Sequence, residues 1–150
     1  MRVHRAIVQE EEAIRPIQLT LLVTRGEAVG NSYYFDRRGR CIIGRADDCD
    51  VILGRHELGL DVSRHHCELE FDPPTLWLRD LGSRNGTFLN EKCLGHRQSG
   101  TAVEKVDLRQ FPAFSLNHGD QIRVGETVFY VGVCGVEAAA PVYLATIFEF

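Results

Sequence analysis

Apolar and β-branched residues occur in short runs along most of the chain, and turn residues such as glycine, proline and asparagine separate them. The runs are too short for helices, and several alternate between apolar and polar positions, as strands with one buried face do. The pattern predicts strands at Ile17–Thr24, Tyr33–Phe35, Arg40–Gly44, Asp50–Leu53, His66–Phe71, Thr75–Leu81, Gln121–Val124 and Val128–Val133.

The spacing of these runs indicates an all-β fold. Short strands without long helical patterns between them favour an antiparallel β-sandwich over a layered α/β fold. In a sandwich the loops gather at the ends of the strands, so the binding loops are expected at one end. The residues expected in its core are Leu21, Ile42, Ile43, Val51, Leu69, Leu78, Ile122 and Phe129.

We expect one domain at 17–134 with an extension at each end. Residues 1–16 carry a glutamate cluster that interrupts a helical pattern, which leaves a short helix or a disordered leader open. The stretch around 92–115 lacks a clear pattern and is expected to be a long insertion, part of which packs back through Phe111 and Phe114. The tail at 135–150 is apolar, and packing on the body, adding an edge strand and self-association with a second chain remain open.

Charge and cysteine usage restrict the classes of function. The formal net charge of −4 argues against a general nucleic-acid binder, although a small basic patch is compatible with it. The five cysteines include no Cys-x-x-Cys pair, which favours free thiols in a reducing compartment. No apolar run reaches the roughly 18 residues that suggest a membrane span. The expected location is the cytoplasm, without membrane or nucleic-acid partners.

Three polar clusters follow or precede predicted strands. They are Gly44-Arg45, Ser63-Arg64-His65-His66, and the run from Asp80 to Thr87 with Asn90 close behind. Arginine forks two N–H groups onto two oxygens, and serine adds a short donor. This combination suits a phosphomonoester, which carries about −1.5 to −2 charge near pH 7. An asparagine amide both donates and accepts, which suits a peptide main chain.

The three clusters together carry a family resemblance. The blocks G-R, then S-R-x-H, then D-L-x-S-x-N-G-T-x-x-N, in this order, resemble the forkhead-associated (FHA) domain over about residues 17–134. The resemblance implies a non-enzymatic module that binds phosphothreonine-containing proteins or peptides in Ser/Thr kinase signalling. A Ser/Thr kinase is itself a possible partner.

The resemblance also implies a role for each matching residue. Arg45 and Ser63 would contact the phosphate, and Arg64 would help to hold the phosphate or the peptide. Asn85 would hydrogen-bond the peptide main chain, and Arg84 would also contact the peptide. The residues expected to shape the loops and support the site are Gly44, His66, Gly86 and Thr87.

The sequence departs from the family's commonest pattern in three places. Arg84 stands where threonine is frequent, and it would add a cation or favour an acidic peptide residue. The stretch between Arg45 and Ser63 is a few residues longer than usual, and the stretch from Asn90 to Asp120 is much longer. These departures bear on the peptide specificity rather than on the phosphate pocket.

Catalytic and metal sites are not expected. A zinc site built from His65, His66, Cys67, Cys93 and His96 lacks paired ligand spacing. Ser63, His66 and Asp61 lie within six residues and lack a G-x-S-x-G elbow, so they do not suggest a hydrolytic triad. No cofactor is implied. The alternative function is a structural module that assembles through its tail or insertion without binding phosphate.

Overall fold

The computed structural model describes residues 17–54, 61–98, 100–102 and 110–135. The predicted extension at 1–16 and nearly all of the tail at 135–150 lie outside the described residues. The strands are β1 Gln18–Arg25, β2 Ser32–Phe35, β3 Gly39–Gly44, β4 Val51–Ile52, β5 Cys67–Asp72, β6 Thr75–Asp80, β7 Thr87–Leu89, β8 Lys92–Gly95, β9 Phe114–Ser115, β10 Gln121–Val124 and β11 Thr127–Cys134. The described part of the chain contains no helix long and apolar enough to cross a bilayer.

The strands form two sheets, which confirms the all-β sandwich. One sheet has the order β2-β1-β11-β10-β7-β8 and the other has the order β4-β3-β5-β6-β9. Pairing is antiparallel throughout the described strands except between β3 and β4, which run parallel over two residues each. The antiparallel expectation was therefore wrong for β4, because residues 45–50 turn back and β4 runs in the same direction as β3.

Alternation along the strands places the core between the sheets. In β1, Leu19, Leu21 and Val23 are buried, whereas Thr20 and Leu22 face outward. Most of the predicted core is buried: Leu21, Ile43, Val51, Leu69, Leu78, Ile122 and Phe129. Ile42 is only half-buried, since neighbours on a strand point to opposite faces and Ile43 takes the inward position.

The stretch predicted to be an insertion contains two strands that sequence reasoning missed. β8 pairs with β7 at the edge of the first sheet, and β9 pairs with β6 at the edge of the second. The chain therefore leaves the first sheet after β8 and has joined the second at β9. Phe111 contacts Gly95 and is half-buried, and Phe114 is half-buried in β9.

Candidate functional site

Three loops meet at one end of the sandwich because of the way three strands pair. β5 is antiparallel to both β3 and β6, so the end of β3, the start of β5 and the end of β6 lie at the same end of the sheet. At this end Ile43 pairs with Cys67, and Cys67 pairs with Asp80. All three polar clusters of the sequence lie at this end, next to the ends of these strands. We call this end of the molecule the loop end.

Hydrogen bonds connect the loop after β3 to the segment before β5. The Arg45 N–H donates to the Ser63 carbonyl at 3.0 Å, and the Ala46 N–H donates to the Arg64 carbonyl at 3.0 Å. A Cβ at Gly44 would collide with the Arg64 carbonyl. Glycine is therefore required at position 44, because only a residue without a side chain lets the end of β3 approach the Arg64 carbonyl this closely.

The guanidinium of Arg45 lies against the segment before β5 and has no carboxylate partner among the described residues. Its Nε donates to the Val62 carbonyl at 3.1 Å, which orients the group, and its two terminal nitrogens have no hydrogen-bond partner in the described ranges. Within the described ranges no Asp or Glu forms an ion pair with Arg45 or with the exposed Arg64. Two cations thus remain available at the loop end.

His66 joins two of the loops from inside the protein. It is fully buried, its Nδ1 accepts the Ser63 N–H at 3.1 Å, and its Nε2 lies 2.8 Å from the Gly86 carbonyl. The carbonyl can only accept, so the ring is neutral with hydrogen on Nε2. Burial, which disfavours the charged form, lowers the pKa of His66. His66 therefore connects the segment before β5 to the loop between β6 and β7.

The same contacts exclude a hydrolytic triad. His66 meets Ser63 through the backbone N–H rather than through the hydroxyl, and its other nitrogen is directed at Gly86 rather than at a carboxylate. A serine nucleophile needs its hydroxyl hydrogen-bonded to the base. Ser63 therefore lacks the geometry of an activated nucleophile.

A buried carboxylate organises the loop between β6 and β7. Asp80 accepts from the N–H groups of Gly82 and Ser83 at 2.8 and 2.9 Å, and from the hydroxyls of Ser83 and Thr87, both at 2.6 Å. The Ser83 hydroxyl in turn accepts the Gly86 N–H at 2.9 Å. The motif is visible in the sequence, but this role of Asp80 is not, because it arises only when the loop folds back on the end of β6.

The exposed part of this loop carries Arg84 and Asn85. The Arg84 N–H donates to Ser63 Oγ at 2.9 Å, and Asn85 Nδ2 donates to the Asp61 carbonyl at 3.0 Å. Gly86 follows with φ of +97°, a conformation that favours glycine. All the residues predicted for the site, namely Gly44, Arg45, Ser63, Arg64, His66, Arg84, Asn85, Gly86 and Thr87, therefore lie on or directly beneath the loop end.

One metal-ligand-type cluster was not foreseen from the sequence. The side-chain ligand atoms of Asp48, Cys49 and His65 lie within 4.8 Å of one another. The His65 imidazole pairs with Asp48 at 2.8 Å, and the Cys49 thiol donates to the Arg64 carbonyl at 3.1 Å. Burial raises the pKa of the Cys49 thiol, which favours its protonated form. The cluster is thus satisfied by internal hydrogen bonds.

Comparison with known proteins points to one family. The sequence model of the FHA domain matches residues 41–99. The chain is 31% identical over 124 residues to human angiogenic factor with G patch and FHA domains 1, covering 80% of this chain and 16% of that protein. It is 28% identical over 123 residues to glycogen accumulation regulator GarA of Mycobacterium tuberculosis, covering 81% of this chain and 62% of that one.

A solved structure gives the same result in three dimensions. It comes from a structural and functional analysis of phosphothreonine-dependent FHA domain interactions, is 28% identical, and superimposes with a TM-score of 0.56 over 77% of this chain and 95% of that one. The fold, the loop cluster and these matches show that this chain contains a forkhead-associated domain. Domains of this class are interaction modules that read phosphorylated motifs with arginine clusters.

Proposed function

We propose that this domain binds phosphothreonine-containing segments of partner proteins at its loop end. The partners are substrates of a Ser/Thr kinase, or the phosphorylated kinase itself. Residues 17–134 form the binding unit. The solved FHA domain whose interactions depend on phosphothreonine supports the choice of ligand.

The phosphate would lie against Arg45, Ser63 and Arg64. Arg45 offers two terminal nitrogens, and the exposed guanidinium of Arg64 adds a second positive charge. The Ser63 Oγ accepts the Arg84 N–H, and its own hydrogen has no acceptor among the residues that the structure describes. That hydrogen can therefore be donated to a phosphate oxygen, and such charge-assisted bonds are stronger than neutral ones.

The peptide main chain would lie along Asn85. One amide hydrogen of Asn85 is used by the Asp61 carbonyl, which fixes the plane of the side chain. Its other hydrogen and its oxygen have no partner among the described residues and can bind a peptide carbonyl and a peptide N–H. Arg84 projects from the adjacent position and would contact the peptide beside the phosphothreonine.

One observation supports this proposal above the others. Arg45 lies next to Ser63, and its guanidinium donates to the carbonyl of Val62, 17 positions later in the chain. No carboxylate in the described ranges forms an ion pair with Arg45. An unpaired, oriented guanidinium beside a serine hydroxyl is a ready anion site. Nothing in the geometry of Ser63 and His66 suggests catalysis, and we infer a non-enzymatic function.

The location and the alternative function remain proposals. All five cysteines are free thiols, including the buried Cys41, Cys49 and Cys67, which favours a reducing compartment such as the cytoplasm. Burial raises the pKa of Cys41 to about 12, so that thiol is unreactive.

The alternative scaffold would act through parts of 92–115 and 135–150, most of which lie outside the described residues.

Titration calorimetry tests the proposal. A phosphothreonine peptide selected from a degenerate library is compared with its unphosphorylated and phosphoserine twins. We expect the phosphothreonine peptide to bind most tightly and the unphosphorylated peptide to show no measurable binding. Equal affinity for the phosphorylated and unphosphorylated peptides would overturn the proposal.

A further inference from the structure

A groove next to the loop end is bordered by the segment that follows β8. The Arg97 N–H donates to the Ser83 carbonyl, so residues 96–98 run alongside the loop between β6 and β7. Between the two segments lies a cavity of about 520 Å³, which we call the basic groove. Its lining includes Arg84, Asn85, His96, Arg97, Gln98 and Thr101.

Among the described residues that line it, the basic groove has two guanidinium groups and no carboxylate. Neither Arg84 nor Arg97 has an ion-pair partner within the described ranges, whereas Arg40 on the outer face of the second sheet pairs with Glu68. The whole chain has a net charge of −4. Two unpaired cations concentrated in one groove of an acidic protein create a local positive potential that attracts anions.

The basic groove is continuous with the proposed phosphate site through two residues. Arg84 lines the groove with its side chain while its backbone N–H bonds to Ser63 Oγ. Asn85, which we assign to the peptide main chain, lines the groove as well. A peptide with its phosphate at Ser63 and its main chain at Asn85 therefore passes the opening of the groove.

We propose that the basic groove is a second anion subsite, which takes a carboxylate or a second phosphate on the same peptide as the phosphothreonine. Arg84 and Arg97 supply the charge, and arginine binds either anion with two parallel hydrogen bonds. His96, Gln98 and Thr101 supply further polar groups around it. This subsite rests on the proposed phosphothreonine function and adds the class of peptide that the domain selects.

A set of single-phosphothreonine peptides tests the subsite by titration calorimetry on the full chain. In one arm a glutamate, and in the other a phosphoserine, replaces a neutral residue at each flanking position in turn. We expect at least one position to strengthen binding by about tenfold over the neutral-flanked peptide, as one charge-assisted contact would. This gain in affinity should decrease at higher salt concentration, because salt screens the attraction between the flanking anion and the arginines of the groove. If only the phosphoserine peptides bind more tightly, the subsite takes a second phosphate. If the glutamate peptides also bind more tightly, the subsite takes either anion.

Matched arginine variants then locate the effect. Arg97→Gln should reduce the advantage to about threefold or less, and Arg97→Lys should retain most of it because the charge remains. Arg37→Gln removes an arginine that is 90% exposed in the loop before β3, at the opposite end of the strands, and should leave the advantage unchanged.

Two results would overturn the subsite: no flanking anion improves binding, or the advantage survives Arg97→Gln undiminished. Failure of the neutral-flanked phosphothreonine peptide to bind at all is a different outcome, because it would refute the phosphothreonine function itself.

Discussion

The backbone N–H of Arg84 donates a hydrogen bond of 2.9 Å to the side-chain oxygen of Ser63, 21 positions earlier in the chain. This bond connects the loop between β6 and β7 to the segment before β5. It also occupies the Ser63 oxygen as an acceptor, so the hydroxyl is left to act as a donor. The proposed phosphate site therefore depends on the position of the loop that carries Arg84 and Asn85, as well as on Ser63 itself.

Replacing Arg45 with alanine should weaken phosphothreonine-peptide binding by about tenfold or more, because a charge-assisted hydrogen bond contributes about 1.5–3 kcal/mol. Arg45→Ala removes the guanidinium that is oriented by the Val62 carbonyl. Titration calorimetry measures the change. Arg37→Ala is the control, since it deletes the same side chain at the opposite end of the strands. An unchanged Kd in Arg45→Ala would exclude Arg45 from the phosphate site.

Asp80→Asn should destabilise the domain by about 2–4 kcal/mol. Asp80 accepts four hydrogen bonds in a buried position, and an amide would present its NH₂ to at least one of those donors. Urea unfolding followed by tryptophan fluorescence gives the difference in free energy. Glu70→Gln, an exposed carboxylate on the outer face of β5, should change stability by less than about 0.5 kcal/mol. Similar stabilities for the two variants would show that Asp80 does not anchor the loop.

Gly44→Ala should lower stability by about 1–3 kcal/mol, the usual cost of overpacking, and should also weaken peptide binding. The added Cβ meets the backbone carbonyl of Arg64, which moves only if the hydrogen-bonded loops separate. Gly39→Ala provides the comparison at the other end of β3, where a Cβ meets nothing nearer than 3.9 Å. If both glycine variants bind and unfold alike, the close approach at Gly44 is not required.

Much of the loop end was predictable because its residues occur in three contiguous motifs. The blocks at Gly44-Arg45, at Ser63–His66 and at Asp80–Thr87 identified the residues that the structure brings together. Strand bounds were also close, since β6 was expected at Thr75–Leu81 and spans Thr75–Asp80. Local alternation and turn residues determine these features, and both are visible along one stretch of chain.

Features that depend on distant contacts could not be predicted. The strand predicted at Asp50–Leu53 contains β4, but its parallel pairing with β3 was not foreseen. β9 has two residues at a sheet edge and shows no period. The burial of the Asp80 carboxylate depends on a loop that folds back over it. The position of Arg97 could not be predicted from its local sequence, because its contact with Ser83 depends on the path of the chain after β8.

The stability of the domain should fall as the pH drops below about 6.5, the ordinary pKa of histidine. Burial lowers the pKa of His66 in the folded state, so the unfolded chain binds the proton first. The contribution of neutral His66 is therefore fully present above its unfolded pKa and is lost as the pH falls toward its folded pKa. Urea unfolding across this range and an NMR titration of the His66 ring measure it. If the His66 ring titrates at or above the ordinary pKa of histidine, this prediction is wrong.

The most direct measurement is a crystal structure of the domain with a bound phosphothreonine peptide. We predict phosphate oxygens at hydrogen-bond distance, about 2.7–3.2 Å, from the terminal nitrogens of Arg45 and from Ser63 Oγ, with the peptide main chain against Asn85. A phosphate bound elsewhere, with Arg45 and Ser63 left facing solvent, would contradict this prediction.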